Sequence, residues 1–203
     1  AVKEAGLSLK VIDIDPQTGN ICLDSLKNNF NSNCAAVFLT DYGGIPVNIT
    51  KVREIVGDNC LILLDAAASL GTFCKGEFSG AEADFVCWSF DSMKLLVCGE
   101  GGAAYFKNLD ILERFKEYSY LGLPSNEKSG IDRSQADDEV WWEYQLSVPG
   151  RRSVFTNINA AIGLPKLKIL DEKLRRRSEI RDFYVKELED IQGFSFLDQK
   201  QES

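Results

Sequence analysis

One lysine, Lys94, lies in the otherwise apolar stretch CWSFDSMKLLVCGEGGAAYF, five residues after Ser89 and five before the first glycine of Gly-Glu-Gly-Gly. An amine taken out of water gives up its proton more readily, and the neutral amine is a nucleophile. Its natural target is a carbonyl carbon, with which it forms a Schiff base. Asp65 ends the segment CLILLD, and Ser89 and Asp91 end DFVCWSFD. A carboxylate pairs with a cationic ring nitrogen, and a hydroxyl holds a phosphate. Lys94, Asp65 and Ser89 therefore offer one each of the groups that a phosphorylated ring aldehyde requires. Each also has a plainer reading, because a strand-end Asp often caps a helix and a serine at this spacing from a lysine is common.

The surrounding elements must bring these groups together. LSLKVIDID reads as a strand, PQTGN as a turn, and CLDSLKNNF as a helix with Leu23, Leu26 and Phe30 on one side and Asp24 or Ser25 as cap. CAAVFLTDY, CLILLDAA, ADFVCWSFD and GGAAYFKN read as further strands, the first three buried and apolar on both faces. GGIP is a loop, and NITKVREIVG a short helix closed by Gly57. The alternation predicts an α/β fold with a mostly parallel sheet flanked by helices. In such sheets ligands gather at the carboxyl ends of the strands, where Asp65 and Ser89 fall.

After residue 108 the character changes. LDILERFKEYSYLG is helical, PSNEKSGIDRSQADDE is a long polar loop or flap, and VWWEYQLSVPG is aromatic and ends in a turn. From Asn157 to about Ile191 the spacing of Ile158, Ala161, Ile162, Leu167, Leu170, Leu174, Ile180, Phe183, Tyr184 and Leu188 predicts one long helix, with Pro165 as a kink or restart. Its lysines and arginines read as a solvated face with a few surface pairs.

Composition narrows the function. The 203 residues carry a net charge of -8, which argues against a nucleic-acid partner. No apolar run approaches the ~20 residues of a membrane helix, and AVKEAGLSLK lacks the order of a signal peptide. Six cysteines without a C-x-x-C pair, and no histidine at all, speak against a zinc site and against Ser-His-Asp or Cys-His catalysis. Unpaired thiols of this kind read as small buried hydrophobes and suit a reducing cytoplasm.

The stretch LILLDAAASLGTFCKGEFSGAEADFVCWSFDSMKLLVCGEGGAAYFKN resembles the core of the pyridoxal-phosphate-dependent sugar aminotransferases, the DegT/DnrJ/EryC1/StrS group. The D-x-A of LLDAAASLG, the K-G and G…AD of the next hairpin, SF-x-x-x-K and GEGGA match in order. VIDIDPQTGNI, TDYGGIPVNI and the segment from WWEYQLSVPG to the long helix extend the likeness over nearly the whole chain. The resemblance implies the large domain of an aspartate-aminotransferase-like (type I) pyridoxal 5'-phosphate-dependent transferase. The implied activity is transfer of an amino group, usually from glutamate, to a nucleotide-linked keto sugar in amino-sugar and polysaccharide biosynthesis.

Carried over by position, Lys94 matches the Schiff-base lysine, which also moves the proton between substrate and cofactor carbons. Asp65 matches the acid facing the pyridinium nitrogen, Ala67 the small residue against the ring face, and Ser89 the phosphate-binding hydroxyl. Ala68 stands where the family usually has glutamine or histidine against the ring hydroxyl, and can donate nothing. Arg152 falls where an asparagine usually reaches the phosphate in the partner subunit's site. An arginine can do that by charge, and equally reads as a plain surface arginine. Asp91 replaces a frequent histidine and reads as a solvated loop acid. A related branch replaces the lysine with histidine and dehydrates sugars, and Lys94 argues against it.

Family members are about twice this length. The resemblance therefore implies an incomplete large domain over residues 1–156. Residues 157–203 are then a helix leading towards a small C-terminal domain. An N-terminal segment with a Gly-Thr phosphate turn and a ring-stacking aromatic would precede it. The implied partners are a nucleotide-sugar substrate, an amino donor and a second copy in a homodimer. The competing expectation is an inert α/β fragment that folds and self-associates without turnover.

Overall fold

A computed structural model describes residues 2–124, 146 and 148–197. The chain divides into two compact units, Ala1–Ala104 with Ile158–Ser203, and Tyr105–Asn157. The polar loop and most of the aromatic segment expected from the sequence, residues 125–145 and 147, lie outside the described residues.

The first unit is built on a sheet of β1 (Ala36–Thr40), β2 (Leu61–Asp65), β5 (Phe85–Ser89) and β6 (Gly102–Phe106, whose last two residues fall in the second unit), side by side in that order. β1 pairs with β2 in parallel, Ala36 opposite Leu61 through Thr40 opposite Asp65, and β2 pairs with β5 in parallel, Asp65 opposite Cys87. Parallel neighbours need a crossover, and α2 (Ile49–Val56) supplies it between β1 and β2. Asn48 caps that helix by accepting the Lys51 N–H at 3.1 Å, and Gly57 ends it at φ 68°. Val52 and Val56 of α2 pack with Val37 and Leu39 of β1, Ile62 and Leu64 of β2, and Val86 of β5. Arg53 fixes the helix to the sheet. It donates to Asp84 Oδ2 at 2.6 Å and to the Cys60 carbonyl at 2.7 Å, while the Ile62 N–H donates to the same Asp84 oxygen at 2.8 Å.

A small hairpin of β3 (Phe73–Cys74) and β4 (Glu77–Phe78) follows β2. Lys75 and Gly76 both take positive φ, 50° and 84°, the geometry of a two-residue I′ turn. The Phe73 and Phe78 rings close it at 4.4 Å between centroids.

Four sequence expectations are corrected. LSLKVIDID forms no strand and contributes one isolated bridge, Ile14 to Ile21, with Val11 82% exposed. Its backbone groups at Asp13 and Asp15 bond to Cys22 and Asn20 across the PQTGN turn, which leaves no ladder to extend. Neither Asp24 nor Ser25 caps α1 (Leu23–Asn29). The cap position is Cys22, which makes no side-chain cap, and Ser25 Oγ instead accepts the Asp13 N–H at 3.4 Å. The strands are buried on one face only, since Phe38 and Leu61 on the other are 55% and 44% exposed. The long helix is two helices, α4 (Asn157–Leu167) and α5 (Leu170–Leu188). α4 runs through Pro165, whose missing N–H leaves its last turn short of a bond, and the chain breaks at Ile169 with φ -109° and ψ 16°.

In the second unit, Asn108 caps α3 (Leu109–Ser119) by accepting the N–H groups of Asp110 and Ile111 at 2.8 and 3.3 Å. Phe106 and Phe115 stack at 4.8 Å. Gly122 and Gly150 meet backbone to backbone. A Cβ on Gly122 would stand 1.8 Å from the Val148 carbonyl oxygen, so neither position admits a side chain.

Ile62 is fully buried in the sheet core, whereas Phe38 faces outward. Ile62→Ala is expected to cost about 2–5 kcal/mol in urea unfolding. Phe38→Ala should cost less than about 1 kcal/mol. Equal losses would contradict this division of the sheet into a packed face and an open one.

Candidate functional site

Asp65 and Ser89 are the last residues of neighbouring parallel strands, so the ladder that aligns Asp65 with Cys87 also brings the two polar ends to one edge. Past β2 the chain turns at once. Asp65 Oδ1 accepts the Ala67 N–H at 2.9 Å, an Asx turn that fixes the carboxylate and leaves its other oxygen for a ligand. Ala66 is buried beneath this turn, Ala67 is half-buried, and Ala68 is exposed. The turn after β1 packs beside it. A Cβ on Gly44 would lie 3.4 Å from the Ala68 carbonyl oxygen, and Thr72 Oγ1 donates to the Gly44 carbonyl at 3.2 Å.

Lys94 sits in the loop between β5 and β6. The loop is closed at its base, where the Phe90 N–H donates to the Gly101 carbonyl and the Cys98 N–H to the Phe90 carbonyl, both at 2.9 Å. Asp91 shapes the turn that presents the lysine. Its Oδ1 accepts the Met93 N–H at 2.9 Å and its carbonyl accepts the Lys94 N–H at 3.0 Å. Ser89 Oγ accepts the Asp91 N–H at 3.3 Å and keeps its own proton to donate. Met93 is 85% exposed while Lys94 is half-buried, and among the described residues no acid forms an ion pair with the Lys94 amine.

Three features escaped the reading of the sequence. Asp41, just past β1, is fully buried. Its Oδ1 accepts the Val47 N–H at 2.9 Å, its Oδ2 accepts from Ser79 Oγ at 2.6 Å, and the Ser69 hydroxyl also reaches it. One carboxyl thus gathers the loop after β1, the turn after β2 and the hairpin. Burial pushes its pKa above the ordinary 3.8, against the pull of those donors, and nearby Asp65 adds to the rise. The signal was present, since Asp41 is a strand-end acid like Asp65. The second feature is α4. Asn159 Nδ2 donates to the Cys98 carbonyl at 2.8 Å and the Glu100 carbonyl at 3.3 Å, and a Cβ on Gly163 would lie 2.5 Å from Cys98 Sγ. The helix therefore holds the outgoing limb of the lysine loop. The third is Cys87 beside Asp65, a thiol that burial and then the Asp65 charge push upward, so it stays neutral.

Asp65, Ala67, Ala68, Ser89 and Lys94 belong to the first unit. Arg152 belongs to the second, exposed and in an antiparallel bridge with Tyr120. Among the described residues, no cluster of His, Cys, Asp or Glu could hold a metal ion, and no helix is long and apolar enough to cross a membrane.

A lysine loop beside a strand-end carboxylate and a strand-end hydroxyl, at the carboxyl edge of a parallel sheet, is the geometry of an α/β ligand site. The chain belongs to the DegT/DnrJ/EryC1/StrS aminotransferase family, whose model matches residues 1–203. It is 31% identical over 194 residues to a dTDP-4-dehydro-2,3,6-trideoxy-D-glucose 4-aminotransferase of Saccharopolyspora spinosa, covering 95% of this chain and 50% of that protein. It is 24% identical to the GDP-perosamine synthase of Escherichia coli O157:H7, over 94% of this chain and 49% of the other. The crystal structure of a sugar aminotransferase from Micromonospora echinospora superposes with a TM-score of 0.85 at 27% identity, over 99% of this chain and 54% of that one. The chain spans about half the length of the curated relatives it matches.

Two outcomes follow from the site's supports. A carboxyl whose folded pKa is raised binds its proton more tightly folded than unfolded. Asp41's contribution to stability is therefore full below 3.8 and lost as pH rises through the folded value. Asn keeps the side chain's shape and one acceptor oxygen without that titration. Its Nδ2 donates where Oδ2 accepted, which shifts the difference by a constant and leaves its pH dependence unchanged. The unfolding free energy of Asp41→Asn relative to the unsubstituted chain should climb with pH above 3.8 and then level off, and a flat difference would contradict the burial argument. Asn159→Ala leaves two carbonyls of the lysine loop without their donor. Hydrogen exchange at the Phe90 and Cys98 amides should quicken by about tenfold or more, corresponding to about 1–3 kcal/mol, while the Ile62 amide is unaffected.

Proposed function

We propose that this chain carries the pyridoxal 5'-phosphate-binding part of a nucleotide-sugar aminotransferase, which takes an amino group from glutamate and delivers it to a keto sugar carried on a nucleoside diphosphate. The observation that carries this reading is the joint placement of Asp65, Ser89 and the Lys94 loop at one edge of a parallel sheet. The residues fit the cofactor. Asp65, with one oxygen engaged by the Ala67 N–H, has the other for a cationic ring nitrogen. Ala67 offers a small face for a flat ring, Ser89 a hydroxyl for the phosphate, and Lys94 an amine for the aldehyde. When bound, pyridoxal phosphate supplies the electron sink for breaking a bond at an amino-bearing carbon.

The chain's own residues do the rest. Asp65 keeps the ring nitrogen's proton in place. With the cofactor held there, Lys94 Nζ would be the base that takes up and returns the proton moved during amino transfer. The Asp91 turn aims that amine, and α4 keeps the loop from opening. Ala68 donates nothing, so the ring hydroxyl is left to another group or to water. The activities named for the two relatives support a dTDP- or GDP-linked sugar as substrate. We read Arg152 as a phosphate contact offered to the site of a second copy in a homodimer, working in the cytoplasm. The other reading is a chain that folds and self-associates without turnover.

Titration with pyridoxal phosphate tests this. The chain should gain an absorbance band near ~420 nm that Lys94→Ala lacks. No band at saturating cofactor would overturn the holoenzyme reading and leave the inert one. A band without amino transfer from glutamate to dTDP- or GDP-linked keto sugars would mean cofactor binding alone. Sedimentation of the loaded chain should show a dimer.

A further inference from the structure

The amino ends of β1 and β2, opposite the edge that carries Asp65 and Ser89, hold a pair of cysteines. Cys34 lies two residues before β1 and Cys60 one residue before β2. The register puts Ala36 opposite Leu61, and the Leu61 N–H donates to the Ala35 carbonyl at 3.0 Å, so the two chains are pinned together beside the cysteines. Both side chains pack against the same core. Cys34 Sγ is 3.3 Å from the Ala36 carbonyl oxygen and Cys60 Sγ is 3.9 Å from that of Leu61. Cys60 is 2% exposed and Cys34 half-buried, and both are free thiols. Arg53 ties the same corner through the Cys60 carbonyl and Asp84, which keeps Cys60 from drifting away from its neighbour.

We propose that Cys34 and Cys60 are a dithiol site that closes reversibly to a disulfide across the amino ends of β1 and β2. The oxidant is a low-molecular-weight disulfide. The Cys34 thiolate attacks one sulfur of that oxidant, forming a mixed disulfide, and a thiolate leaves with the electron pair. Cys60 then gives its proton to water, and its thiolate attacks Cys34 Sγ and expels the second small thiolate. Two protein thiols lose two electrons, and the small disulfide gains them to become two thiols. The order follows from exposure, because the half-buried Cys34 meets the oxidant while the buried Cys60 does not. Burial, and the Cys34 thiol beside it, push Cys60 up to about 11. The closing step is therefore the slow one, and it quickens with pH. The bond encloses β1 and α2 in one loop, which stabilises the fold by limiting the unfolded chain.

The test is incubation of the whole chain with excess glutathione disulfide, acid quenching at intervals, and non-reducing peptide mapping by mass spectrometry. One glutathione should appear on Cys34 first and then give way to a Cys34–Cys60 crosslinked peptide. The second step should accelerate by about tenfold per pH unit between about 7 and 9. Dithiothreitol should reverse it, and the oxidised chain should melt about 5–10 °C above the reduced one. In Cys60→Ala the adduct on Cys34 should persist. A mixed disulfide that persists equally in the unsubstituted chain, or glutathione found only on other cysteines, would overturn the proposal. The mapping on the unsubstituted chain decides the matter even if the variant fails to fold.

Discussion

The parallel pairing of β1, β2 and β5 is the constraint on which everything else depends. Parallel strands start at one edge and end at the other, so three consecutive strand ends deliver Asp41, Asp65 and Ser89 to the same side of the sheet. The ladder needs a crossover between β1 and β2, and α2 with its Asn48 cap, its Gly57 stop and its Arg53 anchor meets that need. The core side chains Leu39, Ile62, Leu64 and Val86 hold the strands in that register, because a shift by one residue would turn them outward. The carboxylate and hydroxyl at one edge and the two cysteines at the other are both placed by this alignment.

Alignment alone does not make a site, since strand ends lead into loops and loops must be held. Two devices do this. The buried Asp41 carboxyl draws together Val47, Ser69 and Ser79 from three separate segments, and so fixes the floor around the Asp65 turn. Asn159 and Gly163 of α4 clamp the return limb of the Lys94 loop, the glycine allowing the helix to approach Cys98 closely. Helix α4 is thereby part of the support of the Lys94 loop and not only a connector.

Much of this was legible in the sequence, and what was not has a physical reason. The apolar strands and the Gly57 stop rest on local signals and the Lys-Gly hairpin on the family resemblance, and each stands where expected. LSLKVIDID carries the same apolar alternation but, among the described residues, pairs only through the Ile14–Ile21 bridge, and alternation does not say which segments will pair. The break after α4 lies at Ile169 and not at Pro165, because a helix tolerates a proline near its end and unwinds a turn later. Asn159 looked like one more polar residue on a helix, and only its contact with a loop some sixty positions earlier gives it a role. Lys94, Asp65 and Ser89 were singled out because strand ends are where parallel sheets place ligands and because they match the family's motif by position, and the structure sets Asp65 and Ser89 at that edge. Asp41 obeys the same rule, but the need to bury a carboxyl under a loop is not written in TDYGG.

The two acids illustrate how one sheet edge separates structural from chemical roles. Asp41 directly follows β1 and Asp65 ends β2, and the Asp65 charge adds to the cost of ionising Asp41. The fold resolves this by burial. Asp41's oxygens are taken by the Val47 N–H and the Ser79 and Ser69 hydroxyls, so its charge faces protein donors and has none left for a ligand. Asp65 is only half-buried and has a single engaged oxygen, so the remaining one is the acid available to a cation at this edge. Cys87 beside it stays a neutral thiol and adds no competing charge. A cationic ring nitrogen arriving there would meet one accessible carboxylate oxygen, with the Lys94 loop and the Ser89 hydroxyl along the same edge.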